Sequence, residues 1–193
     1  MYEMGRQIAR DMRSMKIDVN FAPVVDVNLH PDVNTIKDRS FGPDKNLVAD
    51  YGSAVMRGMQ DGGVVACAKH FPGHGDTEVD SHKALPVLKF PKERLDSVEL
   101  YPFRRLIKDG VDMVMVGHLL VPVLDTLPAS VSKVVVTDLL RKKMKFRGLI
   151  ITDALGMEGV LEPFGGSGAK ATLAAYKAGV DILLMPDNVS ESI

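Results

Sequence analysis

The chain has 193 residues, with 24 Lys and Arg against 25 Asp and Glu, so its formal net charge is −1. That balance removes the electrostatic argument for binding nucleic acid or an anionic membrane surface, and no apolar run reaches the roughly 18 residues of a membrane-spanning helix. A single cysteine, Cys67 within Val64-Val65-Ala66-Cys67-Ala68, excludes an internal disulfide framework and a Cys-based zinc site; its apolar setting predicts a buried, inert thiol.

In chain order, Met4, Ile8, Met12 and Met15 are apolar at spacings of three and four, which predicts a helix opening the chain. No charged and apolar leader pattern accompanies it. Strands are predicted over residues 18–23, 64–70, 112–117, 148–152 and 181–185. Each is nearly continuously apolar, as parallel strands covered on both faces are. Helices are predicted between them, over 45–61, 91–109, 137–145 and 167–178. Gly110 and Gly179 follow two of these helices and suit left-handed C-terminal positions. Gly165-Gly166-Ser167-Gly168 has no strand before it, so it reads as a turn into an N-capped helix rather than a phosphate loop. The alternation predicts an α/β fold with right-handed crossovers. Five strands and 193 residues fall short of the eight strands and roughly 250 residues of a closed (β/α)8 barrel. The expectation is therefore a piece of something longer.

Polar residues gather just after the strands: Asp26, then Lys69 and His70, then His118, then Asp153. Function at strand C-termini is the habit of α/β barrels and doubly wound sheets alike. The densest segment runs from Lys69 to His82 and holds three histidines. Pro72, Gly73 and Gly75 keep it out of helix, so it is predicted as a loop. Asp80 and His82 stand two apart, close enough for the carboxylate to orient the ring for general acid/base work, or both belong to a solvated polar loop. A metal site at His70 and His74 lacks the helix and the following Glu of a zinc-protease motif. Asp153, ending an apolar strand, reads either as a nucleophile or base or as a cap for the next turn. Asp26 carries the same two readings. Arg39 suits ligand oxygens or the bracing of carboxylates, and His118 suits the rim of a pocket or a structural role. No G-x-S-x-G nucleophile elbow occurs.

Together, Phe21-Ala22-Pro23-Val24-Val25-Asp26-Val27, Asp38-Arg39-Ser40-Phe41, Lys69-His70-Phe71-Pro72-Gly73-His74-Gly75-Asp76-Thr77, Asp80-Ser81-His82 and Thr152-Asp153-Ala154-Leu155-Gly156-Met157 resemble the N-terminal catalytic barrel of glycoside hydrolase family 3. The resemblance is to its bacterial β-N-acetylhexosaminidase branch, and the motifs occur in family order across nearly the whole chain. It implies a partial (β/α)8 barrel of about the last five strand–helix units, the whole of 1–193 being one domain with the first three units absent. It implies retaining hydrolysis of β-linked N-acetylglucosamine from cell-wall-derived glycosides, with Asp153 as nucleophile, His82 as acid/base and Asp80 as its partner. Arg39, Lys69, His70, Asp26 and His118 would bind or line the substrate site. No cofactor or metal is implied. The partners would be a carbohydrate substrate and the remainder of the barrel, with no nucleic acid and no membrane span, in the bacterial cytoplasm or periplasm.

The family's Asp-Gln-Glu-Gly-Gly segment and a further substrate-binding Arg do not occur in this chain, so weak or no turnover is expected of the 193 residues alone. A β-glucosidase of the same family and an inactive sugar-binding piece are the alternatives. The Asp-Ser-His loop argues against the first, and intact Asp80, His82 and Asp153 argue against the second.

Overall fold

The structure, a computed structural model, describes residues 1–29, 36–77 and 85–192. Four parallel strands lie in sequence order: β1 (Val19–Asn20), β2 (Val65–Phe71), β3 (Met113–Val116) and β4 (Leu149–Thr152). Cys67 pairs with Met113, and Met113 with Leu149; between β2 and β3 the register shifts between Ala68 and Phe71. Each strand is reached through a helical crossover, the consecutive arrangement of a partial (β/α)8 barrel.

The helices follow from local chemistry. α1 spans Tyr2–Ser14 and α2 spans Lys45–Asp61. The Asp44 carboxylate caps α2 by accepting from the Asn46 and Leu47 N–H groups at 2.7 and 3.4 Å. The helix predicted over 91–109 is divided into α3 (Lys92–Arg94), a π turn (Leu95–Glu99) and α4 (Leu100–Lys108). Pro102 has no N–H for the carbonyl four residues before it, and the turn preceding it widens. A π helix covers Val134–Lys143, starting three residues before the predicted position, after Ser132 Oγ accepts from the Val135 N–H at 3.2 Å. After α5 (Glu158–Leu161), α6 runs over Gly168–Ala178, capped by Ser167 and ended by Gly179 at φ 99°. α7 is the short turn Val189–Ser192. None of the helices among the described residues is long and apolar enough to cross a membrane.

Three expectations need correction. The apolar stripe of α1 does not all face inward: Met4 and Met15 are exposed, whereas Gly5 and Ala9 are buried and Ile8 and Met12 half-buried. The cause is a glycine crossing with α2. A Cβ on Gly5 would stand 2.3 Å from the Val55 carbonyl oxygen, and one on Gly58 would stand 2.2 Å from that of Tyr2. Such close backbone approach selects the small residues for the contact face, and hydrophobicity is overruled.

The fifth predicted strand, 181–185, runs beside β4 but forms a single parallel bridge, Ile151 to Ile182. Backbone bonds join the two only at its start, from the Asp181 and Ile182 N–H groups to the Ile150 carbonyl and from the Thr152 N–H to the Ile182 carbonyl, and side chains add to them. The Asp181 carboxylate accepts from the Ile150 N–H at 2.7 Å, and Thr152 Oγ1 accepts from the Leu184 N–H at 3.0 Å. β1 is likewise shorter than 18–23, because Pro23 cannot donate to a ladder; single backbone bonds to β2 continue beyond it, from Cys67 N–H to the Ala22 carbonyl at 2.8 Å, from Lys69 N–H to the Pro23 carbonyl at 3.1 Å and from Val25 N–H to the Lys69 carbonyl at 2.8 Å.

Strand alternation divides the core. Ala66, Ala68, Val114, Val116 and Ile150 face the helices and join the main cluster with Leu106, Phe103 and Leu140. Cys67, Met113, Met115 and Ile151 point to the opposite face and pack with Ile182 and Leu184. The C-terminal ends of β2, β3 and β4 therefore emerge between two packed layers, which is where the polar residues sit.

Candidate active site

Asp26 lies in the segment after β1 and is completely buried. Its carboxylate Oδ1 accepts from the backbone N–H of His70 at 3.1 Å and of His74 at 2.7 Å, while Oδ2 stands 2.8 Å from His70 Nδ1. Burial alone drives this carboxyl up. The neighbouring His70 ring, its hydrogen bond and the His74 contacts outweigh that and hold it below the ordinary carboxylate range. The sequence reading placed Asp26 among substrate-lining residues. The structure commits both oxygens to His70 and His74, so Asp26 orients the His70 ring.

The loop leaving β2 is seated by glycines. A Cβ on Gly75 would lie 2.1 Å from the Val27 carbonyl oxygen, and one on Gly73, at φ 129°, would lie 2.8 Å from Glu99 Cβ. Arg94 reaches over this stem, donating to Asp76 Oδ2 at 2.8 Å and to Glu99 Oε1 at 3.1 Å. Burial pushes the Glu99 carboxyl above its usual value, against the pull of Arg94. His74 is buried, and its Nδ1 stands 2.6 Å from Thr77 Oγ1. Asp80 and His82, the acid/base pair read from the sequence, lie outside the described residues.

Lys69 and His70 end β2. His70 is 5% exposed, and with Nδ1 facing Asp26 it is left with Nε2 for a ligand. Lys69 is half-buried; burial draws its ammonium below the ordinary value, while the negative charges of Asp153 and Asp26 oppose the change. Arg39 closes a 3-10 turn (Lys37–Arg39), is exposed, and is near enough for its charge to bear on Lys69.

Asp153 follows β4 and is half-buried. Its backbone N–H donates to the Val116 carbonyl at 2.9 Å, and its Oδ1 accepts from the Ala154 N–H at 2.8 Å. It does not cap a helix, since α5 starts only at Glu158. Its charge bears on Lys69, His74 and His118.

His118 was also placed among the substrate-lining residues. It is 1% exposed, and both ring nitrogens are engaged, Nδ1 with Ser130 Oγ at 2.7 Å and Nε2 with the Ala154 carbonyl at 2.9 Å. Neither is left for a ligand. Ser130, Arg94 and Glu99 were not identified from the sequence. Asp76, within the motif, hinted that a cation would meet the stem; nothing local marked Ser130. Among the described residues no group of three or more His, Cys, Asp or Glu side chains is arranged to hold a metal ion.

The site thus joins a pinned carboxylate, a half-buried ammonium, an exposed guanidinium and an oriented imidazole, a set suited to neutral, hydroxyl-rich ligands. Comparison with known proteins shows what the chain is similar to. Beta-hexosaminidase A from Pseudoalteromonas piscicida is 38% identical over 197 residues, covering 95% of this chain and 33% of that protein. Beta-hexosaminidase from Hydrogenovibrio crunogenus is also 38% identical, covering 95% of this chain and 50% of its own length. The solved structure of a glycoside hydrolase family 3 beta-N-acetylglucosaminidase from Paenibacillus sp. str. FPU-7 superposes with a TM-score of 0.92 at 42% identity, over 95% of this chain and 35% of the other. NagZ from Neisseria gonorrhoeae superposes with a TM-score of 0.86 at 32% identity, over 99% and 54%. The chain therefore spans only about a third to a half of these relatives. All 193 residues match the family described as glycosyl hydrolase family 3 N terminal domain, and the chain belongs to that family.

Proposed function

We propose that this chain carries the nucleophile and the acid/base pair of a retaining β-N-acetylhexosaminidase that releases terminal β-linked N-acetylglucosamine from cell-wall-derived glycosides. The observation that carries the reading is Asp153. It sits at a strand C-terminus, with one carboxylate oxygen held by the Ala154 N–H and a cationic Lys69 within electrostatic reach. The names of the relatives support the substrate class.

In the first step Asp153 attacks the anomeric carbon. The bond from that carbon to the glycosidic oxygen breaks as His82 delivers its proton to the leaving oxygen. A glycosyl ester on Asp153 results. In the second step His82, now neutral and oriented by Asp80, takes a proton from water; the oxygen attacks the same carbon and Asp153 leaves as carboxylate. Retaining enzymes commonly use two carboxylates. A histidine in place of the second need not remain charged beside the nucleophile, and it moves a proton in both directions near neutral pH. Arg39, Lys69 and His70 Nε2 would hold sugar oxygens, with Asp26 fixing the His70 ring.

The test uses the whole protein that contains this chain, assayed with aryl N-acetyl-β-glucosaminide beside aryl β-glucoside. Preference for the N-acetylated sugar is expected, with Asp153→Asn and His82→Ala each lowering turnover at least about a hundredfold. Preferential cleavage of the glucoside, or normal turnover by both variants on natural glycoside, overturns the reading.

A further inference from the structure

We propose that Ser130 and His118 form a positioning relay for Asp153, setting the backbone that presents the nucleophile. The inference rests on the reading of Asp153 above.

The geometry determines where the protons lie. A carbonyl oxygen only accepts, so the 2.9 Å contact to Ala154 requires the proton on His118 Nε2. Burial opposes a second proton on this ring, which leaves Nδ1 as an acceptor. Ser130 Oγ, 2.7 Å away, is then the donor to Nδ1. Ser130 is fully buried and His118 is 1% exposed, so the chain of hydrogen bonds is shielded from water. It has one direction: Ser130 hydroxyl to His118, His118 to the Ala154 carbonyl.

Ala154 is held from its other side as well. Its N–H donates to Asp153 Oδ1, and the Asp153 N–H donates to the Val116 carbonyl. Leu155 N–H is fixed by the Leu184 carbonyl at 2.9 Å. The backbone on each side of the nucleophile is thus tied to β3 through His118 and Val116, and to the 181–185 segment through Leu184. If the relay is removed, the Ala154 carbonyl loses its buried partner and the Ala154–Leu155 peptide keeps only the bond from Leu155 N–H to Leu184; the restraint on the Ala154 backbone weakens, and with it the setting of the adjoining Asp153–Ala154 peptide, whose N–H orients the Asp153 carboxylate. His118 and Ser130 act through the backbone, so they are positioning residues and touch no sugar.

The experiment again uses the whole protein. His118→Leu removes the donor to Ala154, and His118→Gln keeps an N–H at the place of Nε2. Ser130→Ala removes only the hydroxyl and is the milder change should the leucine variant not fold. Turnover on aryl N-acetyl-β-glucosaminide, KM, and the affinity for N-acetylglucosamine by calorimetry are measured together. The ring's nitrogen-15 shifts are read in the wild type. The relay predicts the Nε2–H tautomer, and kcat falling about tenfold in His118→Leu and severalfold in Ser130→Ala. It also predicts recovery in His118→Gln and sugar affinity within about twofold throughout. An Nδ1–H tautomer, unchanged kcat, or loss of sugar affinity matching the loss of kcat overturns it. Asp153→Asn run alongside separates the two claims. If it retains turnover, the nucleophile assignment fails; if it is inactive while Ser130→Ala and His118→Leu are normal, only the relay fails.

Discussion

Replacing Asp26 examines the centre of the site most directly, because its carboxylate is buried and makes three hydrogen bonds. Asp26→Ala leaves the N–H groups of His70 and His74 and the His70 ring without partners in a dry interior. Orphaned buried donors cost about 1–3 kcal/mol each, so a loss of about 3–5 kcal/mol is expected. Asp26→Asn is subtler. Its amide oxygen replaces Oδ1 and keeps both backbone bonds, but its NH2 then faces His70 Nδ1. The ring is forced to accept there and to carry its proton on Nε2, the nitrogen left for substrate. The stability loss should be only about 1–3 kcal/mol, from bonds that are no longer charge-assisted, while the chemistry of His70 is inverted from acceptor to donor. Urea unfolding measures the first effect and the His70 nitrogen-15 shifts the second. The carboxyl is held below its ordinary value, so its stabilising contribution is present above that value and is lost as pH falls through the folded one. Asn at 26 should abolish that acid-side component. The reasoning is refuted if Asp26→Ala unfolds within about 0.5 kcal/mol of wild type, or if the Asn variant leaves the His70 tautomer unchanged.

Other outcomes follow from single contacts. Gly75→Ala places a methyl against the Val27 backbone, where neither side can withdraw, and should cost at least about 2 kcal/mol in urea unfolding. Cys67 is fully buried and burial pushes its thiol up to about 12, so native protein at pH 8 should resist iodoacetamide until denatured. Burial also holds His74 and His118 below the usual imidazole range, so each stays neutral in the fold and gains a proton on unfolding. Their contribution is complete above pH 6.5 and is lost as pH falls through their folded values. Stability should therefore fall as pH drops below about 6.5, and His118→Gln should flatten part of that slope.

How much of this was legible beforehand depends on the range of the interaction. α2 matches residues 45–61 because Asp44, the apolar periodicity and the following glycines are all local. Gly110 and Gly179 do adopt the left-handed backbone predicted from their places after helices, for the same reason. The crossing of α1 and α2 was hidden, since Gly5 and Gly58 are far apart in the chain and gain meaning only where two backbones touch. The fifth strand was overpredicted because hydropathy does not reveal that the Asp181 and Thr152 side chains flank a short run of backbone bonds limited to 150–152 and 181–182.

The sequence by itself determined the α/β class, the order of the parallel strands and the gathering of Asp26, Lys69, His70, His118 and Asp153 at strand ends, because strand polarity and motif spacing are carried along the chain. Only the tertiary structure decided how those residues divide their work. Asp26 and His118 are turned inward with every polar atom engaged, while Asp153 keeps one oxygen without a partner among the described residues and Lys69 stays half-exposed. That division rests on desolvation. A buried polar group must find partners within the protein, and its partners here come from segments up to 48 residues away.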